Sequence, residues 1–162
     1  MKKNYKEIMY SAFKAICSME IEDSKKSGML TILFSMEPNN WRVVGISTDA
    51  IKVFHENDYL RKSKMGINRS HIKRRIDSHK EIMKKEAQGA FKNHEDWWSF
   101  YFENDKTYIQ TSSENMKKNN HSKIIEISNP DYTLFKAKGF AWQHGENEIE
   151  LLKKLYQEHC SS

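Results

Sequence analysis

Tyr5, Ile8, Met9, Ala12, Phe13 and Ile16 fall on one stripe of a 3.6-residue repeat, so residues 3–18 read as an amphipathic helix with one buried face. Residues 19–28 are polar and read as a loop. Two short runs rich in β-branched and aromatic residues follow, 29–35 and 41–46, separated by Glu37-Pro38-Asn39-Asn40. That turn chemistry predicts a hairpin opening an antiparallel sheet. Ser47 or Thr48 then caps a helix through Tyr59, to which Ile51, Val53, Phe54 and Leu60 supply apolar contacts.

Residues 66–72 read as a short strand or an extended loop. Ser78 with Glu81 has the spacing of a capping box, predicting a helix to about Gln88 that Gly89 closes. Asn93 caps the next helix, with Glu95 and Asp96 complementing its dipole. Trp97, Trp98, Phe100, Tyr101 and Phe102 are too many aromatics for one stripe, so this segment is central to the core or partly exposed for binding. Lys106–Thr111 and Lys123–Ser128 read as strands flanking a polar stretch, 112–122; Asn129-Pro130-Asp131 reads as a turn. Ile149, Leu152, Leu155 and Tyr156 mark a final helix, Glu146–His159. The expected architecture is a single α+β domain over residues 1–162, with a mainly antiparallel central sheet of about four or five strands and helices at both chain ends.

Composition agrees with a packed globule: 38% hydrophobic and 12% aromatic residues with only two prolines leave no signature of a disordered or fibrous chain. The uncharged apolar stretch 29–36 is far shorter than the roughly 20 residues a membrane helix needs. Cys17 and Cys160 sit at opposite ends, too sparse for a disulfide framework or a structural zinc site, which points to a reduced cytoplasmic protein.

Charge changes the picture more than composition does. The net charge is +5, yet residues 61–85 carry ten cations against Asp77 and Glu81 alone, leaving the rest of the chain slightly acidic. Such a block beside Asn68, Ser70 and His71 is what a phosphate-contacting surface presents. Arg61, Lys62, Lys64, Asn68, Arg69, Lys73, Arg74 and Arg75 are the candidate nucleic-acid ligands, with DNA favoured over RNA.

Hydrolysis of a phosphodiester with one metal needs a neutral imidazole to take a proton from water and a few oxygen or nitrogen ligands to hold the ion. Asn68-Arg69-Ser70-His71-Ile72, followed after the aromatic helix by Ser113-Glu114-Asn115 and then Asn119-Asn120-His121, resembles the HNH or ββα-metal nucleases over about a third of the chain. The resemblance implies His71 as general base, Asn115 as the structural asparagine and Asn119 or His121 as a ligand of Mg2+ or another divalent metal. Ser70 stands where an acidic ligand commonly precedes the base, and no cysteine pairs support the fold. Palindromic cleavage would suggest a homodimer, although no segment marks its interface.

Two further constellations carry less. His94-Glu95-Asp96 has a metal-ligand composition, but adjacent helical residues spread around the axis and cannot all face one ion. Asp131 with Lys136-Ala137-Lys138 resembles a PD-(D/E)xK nuclease motif, with Lys136 where the second acid should be. Three functions follow as expectations: a small metal-dependent endonuclease of defence or phage type, a non-catalytic nucleic-acid-binding module, and a phage-type inhibitor whose basic face meets an acidic protein. P-loop and zincin chemistries have no motif here.

Overall fold

A computed structural model describes residues 5–36, 40–116, 122–138 and 141–161. The chain order begins α1 (Tyr5–Ser18), α2 (Asp23–Ser35), β1 (Arg42–Ser47), α3 (Thr48–Glu56), β2 (Ile67–His71), α4 (Arg75–Ala87) and α5 (His94–Asn104). It continues β3 (Lys106–Thr111), α6 (Ser112–Met116), β4 (Ile124–Glu126), β5 (Ala137–Lys138), β6 (Ala141–Trp142) and α7 (Glu146–His159). The class is α+β. The chain divides into two compact units, one comprising Met1–Asn40 with Lys73–Asp105 and the other Trp41–Ile72 with Lys106–Ser162.

The first unit is helical: α1, α2, α4 and α5 surround an aromatic core. Trp97 is wholly buried there, with ring centroids 5.5 Å from Tyr10, 5.3 Å from Phe13, 6.1 Å from Phe34 and 6.0 Å from Tyr101. The sequence pattern misassigns part of this unit. Residues 29–35 form no strand, and residues 19–28 are only partly a loop, because α2 begins at Asp23. Leu30, Leu33 and Phe34, at i, i+3 and i+4, face the core while Ile32 is exposed. A short apolar run carries no period of its own, and burial on one side decided for the helix. The expected hairpin therefore does not exist; of its turn, Asn40 is buried and donates to the Phe34 carbonyl at 2.9 Å, while residues 37–39 lie outside the described residues.

The capping box is corrected too. Helix α4 starts a turn earlier, with Arg74 at its N-cap, so Ser78 and Glu81 lie inside the helix. The Ser78 hydroxyl is buried without a hydrogen-bond partner among the described residues. By contrast, Asn93 caps α5, its side-chain oxygen accepting from the amides of Glu95 and Asp96 at 2.9 Å each.

The second unit holds a four-stranded sheet in the order β2-β3-β1-β4. Its outer pairs, β2 with β3 and β1 with β4, are antiparallel, but the central pair β1 and β3 is parallel, so the sheet is mixed. Val43, Ile46 and Ile109 from the sheet pack with Ile51 and Phe54 of α3 and Leu152 of α7, in a core that is mainly aliphatic but includes Phe135 and Trp142. Ser47 ends β1 and caps α3, accepting from the Ala50 amide at 3.1 Å. At Gly45, where the β1–β3 register shifts, an added Cβ would lie 2.9 Å from Tyr108 and 3.1 Å from the Ile125 carbonyl, so strand backbones approach too closely for a side chain. A two-stranded ribbon, β5 with β6, has no counterpart in the sequence pattern; each strand is two residues long, below what alternation can reveal.

Candidate nucleic-acid interface

The basic block is cut by the division into units. Arg61, Lys62, Lys64 and Arg69 belong to the sheet unit, and Lys73, Arg74, Arg75, Lys80, Lys84 and Lys85 to the helical unit.

In the sheet unit, the loop joining α3 to β2 forms a concave surface of about 400 Å³ lined by residues 61–68. Arg61, Lys62 and Lys64 are all exposed on it, and the chain holds no acid between Asp58 and Asp77. The loop is shaped by left-handed backbone at Lys64 (φ 68°) and Gly66 (φ 67°). Its end is fastened by the Ser112 amide, which donates to the Gly66 carbonyl at 2.6 Å, and by Asn68, whose side chain donates to the Ser112 hydroxyl at 2.9 Å. Arg61 lies over the Trp142 ring, its guanidinium carbon 4.0 Å from the centroid. Stacking engages the face of a guanidinium and leaves its N–H edge free to grip phosphate oxygens.

Arg69 differs. Half-buried on β2, it donates to the Ala141 carbonyl at 2.7 Å and lies 4.9 Å from the Trp41 centroid and 5.6 Å from that of Trp142. It straps the sheet to the β5–β6 ribbon, a role that burial and aromatic contacts explain and a linear charge pattern hides.

In the helical unit, Lys73 is engaged by Glu81 and by Asn104 at 3.1 Å. Arg74 grips Asp77 through two bonds, Nε at 2.6 Å and a terminal nitrogen at 3.2 Å, and that contact raises its pKa above the ordinary guanidinium value. Its side chain is nonetheless exposed, and exposed pairs are readily exchanged for a competing anion. Arg75 opens α4, exposed.

Of the residues singled out for hydrolysis, the two that are described, His71 and Asn115, are not brought together. His71 ends β2 opposite Thr107, its ring edge-on to Trp41 at 5.8 Å. Asn115 lies on α6, beyond Thr111, which pairs with Ile67 at the other end of the same ladder. Four strand residues separate those ends by roughly 13 Å. Asn119 and His121 lie outside the described residues. Among the described residues no three His, Cys, Asp or Glu side chains gather as a metal would require. His94-Glu95-Asp96 follows suit: Glu95 pairs with Lys6 at 2.7 Å, which with His94 holds its carboxyl below the usual range, and Asp96 accepts from the Lys92 amide at 3.1 Å. Asp131 is exposed in a turn.

One residue beside the loop, Glu114, stands within the 113–115 run, where the nuclease resemblance assigns it no role. Glu114 is buried on α6, where it accepts from the Ser47 hydroxyl at 2.7 Å, the Thr111 amide and hydroxyl at 2.8 Å each, and the Ser122 hydroxyl. Burial opposes its ionisation, but these bonds, led by that from Ser122, outweigh it and hold the carboxyl below the usual range. It ties the ends of β1 and β3 to α6 and so supports Ser112, on which the loop is fastened. Thr111 and Glu114 have the spacing of a capping box, each side chain accepting from the other's amide, at 3.3 Å and 2.8 Å; Ser47 and Ser122 join them only through the sheet order.

Comparison with family models, with curated proteins and with solved structures finds no match. Among the described residues no helix is long and apolar enough to cross a membrane.

Proposed function

We propose that this chain is a nucleic-acid-binding protein whose loop 61–66 contacts phosphates, with duplex DNA favoured. The observation that carries the reading is three exposed cations on one acid-free concave loop, one of them held over an indole. Ordering Arg61 before contact lowers the entropic cost of binding. Arg74 and Arg75 are further phosphate ligands in this reading, whereas Arg69 acts inside the fold. The reading is confined to binding, because the loop cations carry it without His71, which ends β2, or Asn115, which lies on α6.

The test is a salt titration of a short fluorescent duplex against wild type and an Arg61→Ser/Lys62→Ser/Lys64→Ser variant. Removing one cation–phosphate interaction should reduce the slope of log K against log salt by about 0.9. The triple variant should therefore bind with a slope shallower by about two to three. Absence of binding at low salt, or an unchanged slope in the variant, overturns the reading and favours an acidic protein as the partner. Duplex cleavage with magnesium or manganese that His71→Ala abolishes would restore the catalytic role.

A further inference from the structure

The helical unit contains a second basic concavity, distinct from the loop and built from residues outside the candidate set. Helices α1, α2 and α4 each turn one face toward a cleft of about 450 Å³, with Lys14 and Cys17 from α1, Lys26 from α2, and Lys80 and Lys84 from α4 on its walls. Four amines thus face two carboxylates, Asp23 and Glu86. That volume falls within the range of small-ligand sites.

Two of the amines have structural explanations. Lys26 donates to the Cys17 carbonyl at 2.8 Å, satisfying the C-terminal end of α1, and Lys14 lies 4.8 Å from the Tyr10 ring. Lys80 and Lys84 do not. They sit one turn apart on α4, where like charges repel, and neither has an ion-pair or hydrogen-bond partner among the described residues. The acids three residues before them on α4, Asp77 and Glu81, are engaged by Arg74 and Lys73, and Glu86 is approached by the Tyr10 hydroxyl at 3.3 Å. Desolvation, reinforced by Glu86, pushes the Cys17 thiol up to about 11, so at neutral pH it is an uncharged wall that reacts slowly through a small thiolate fraction.

We propose that this cleft binds a phosphate-bearing anion, with Lys80 and Lys84 as its principal ligands and Lys14 and Lys26 lending charge from the opposite helices. An anion between Lys80 and Lys84 converts a repulsive pair into two charge-assisted contacts, and the Met83–Ala87 side supplies an apolar wall. The phosphate can come from a small phosphorylated molecule or from a nucleic-acid backbone, and both present the same oxygens.

Inorganic pyrophosphate is the probe, used with the full chain carrying Cys160→Ser so that Cys17 is its remaining thiol. Maleimide labelling of Cys17 at mildly alkaline pH localises the readout, since binding elsewhere on a basic protein would not shield this position. Saturable binding that slows Cys17 labelling, and that Lys80→Gln/Lys84→Gln weakens about tenfold or more, is the expected result. Both positions are exposed on α4, and an unchanged far-UV spectrum of the variant verifies its fold. No saturable binding at millimolar pyrophosphate, labelling unaffected by ligand, or equal affinity in the double variant overturns the proposal. A single-stranded oligonucleotide identifies the source: mutual displacement with pyrophosphate assigns the cleft to phosphodiester backbone, and pyrophosphate saturation without displacement assigns it to a small phosphate. In the Arg61→Ser/Lys62→Ser/Lys64→Ser variant pyrophosphate should slow Cys17 labelling as it does in wild type, so failure of the loop proposal and failure of this one are separable.

Discussion

The helical and sheet units solve the same burial problem with different side chains. In the former, one indole at the centre meets five aromatic rings, so core cohesion is concentrated in Trp97. In the latter, mainly aliphatic residues of the sheet, α3 and α7 share the load with Phe54, Phe135 and Trp142, and two buried carboxylates, Glu114 and Glu148, gather the polar contacts. The difference extends to the cations. Arg61, Lys62 and Lys64 of the sheet unit project from a loop, while Lys73 and Arg74 of the helical unit are engaged by side chains on or beside α4.

The largest expected effect tests the first half of that contrast. Trp97→Ala should cost about 3–5 kcal/mol in denaturant unfolding, as for other large aromatic truncations. A loss below about 1 kcal/mol would mean that the aromatic core is redundant. Next is Glu114→Gln, which keeps the volume but cannot accept at both oxygens as a carboxylate does. It should cost about 1.5–3 kcal/mol near neutral pH. Because the folded carboxyl titrates below its unfolded value of about 4.3, the wild-type advantage is complete above that pH and is lost as pH falls through the folded value. Stability curves of wild type and variant should therefore converge in acid; a gap that stays constant with pH would assign the effect to packing. The smallest effect belongs to Asn93→Ala, about 1 kcal/mol from removal of the α5 cap.

Legibility in the sequence followed the length of the repeating pattern. The first and last helices, Tyr5–Ser18 and Glu146–His159, run long enough for their stripes to be read nearly to the residue, and Asn93 and Ser47 advertised themselves as caps. Residues 29–35 misled because branched and aromatic side chains fit a pleated surface or a helix core equally well, and only Leu30, Leu33 and Phe34 meeting α1 and α5 decides. The parallel pairing of β1 with β3 was invisible, since strand direction depends on the route the chain takes between them. For the candidate interface, the charge run at 61–85 was plain, but which cations are engaged inside the fold was not. Arg69 and Lys73 differ from Lys62 and Lys64 only through Trp41, Ala141, Glu81 and Asn104, which are distant in the chain or on another helical turn.

The strand order also bears on how a nascent polypeptide acquires this sheet. β1 and β2 leave the ribosome first, yet neither pairs with the other; both wait for β3, which lies between them and is translated only after α4 and α5. Until Thr111 emerges, two strand edges stay unsatisfied, one of them bearing Val43 and Ile46. Such non-local closure is slow and leaves a window for mispairing with a neighbouring chain, so expression at reduced translation temperature or with a chaperone that shields extended segments should raise the soluble yield.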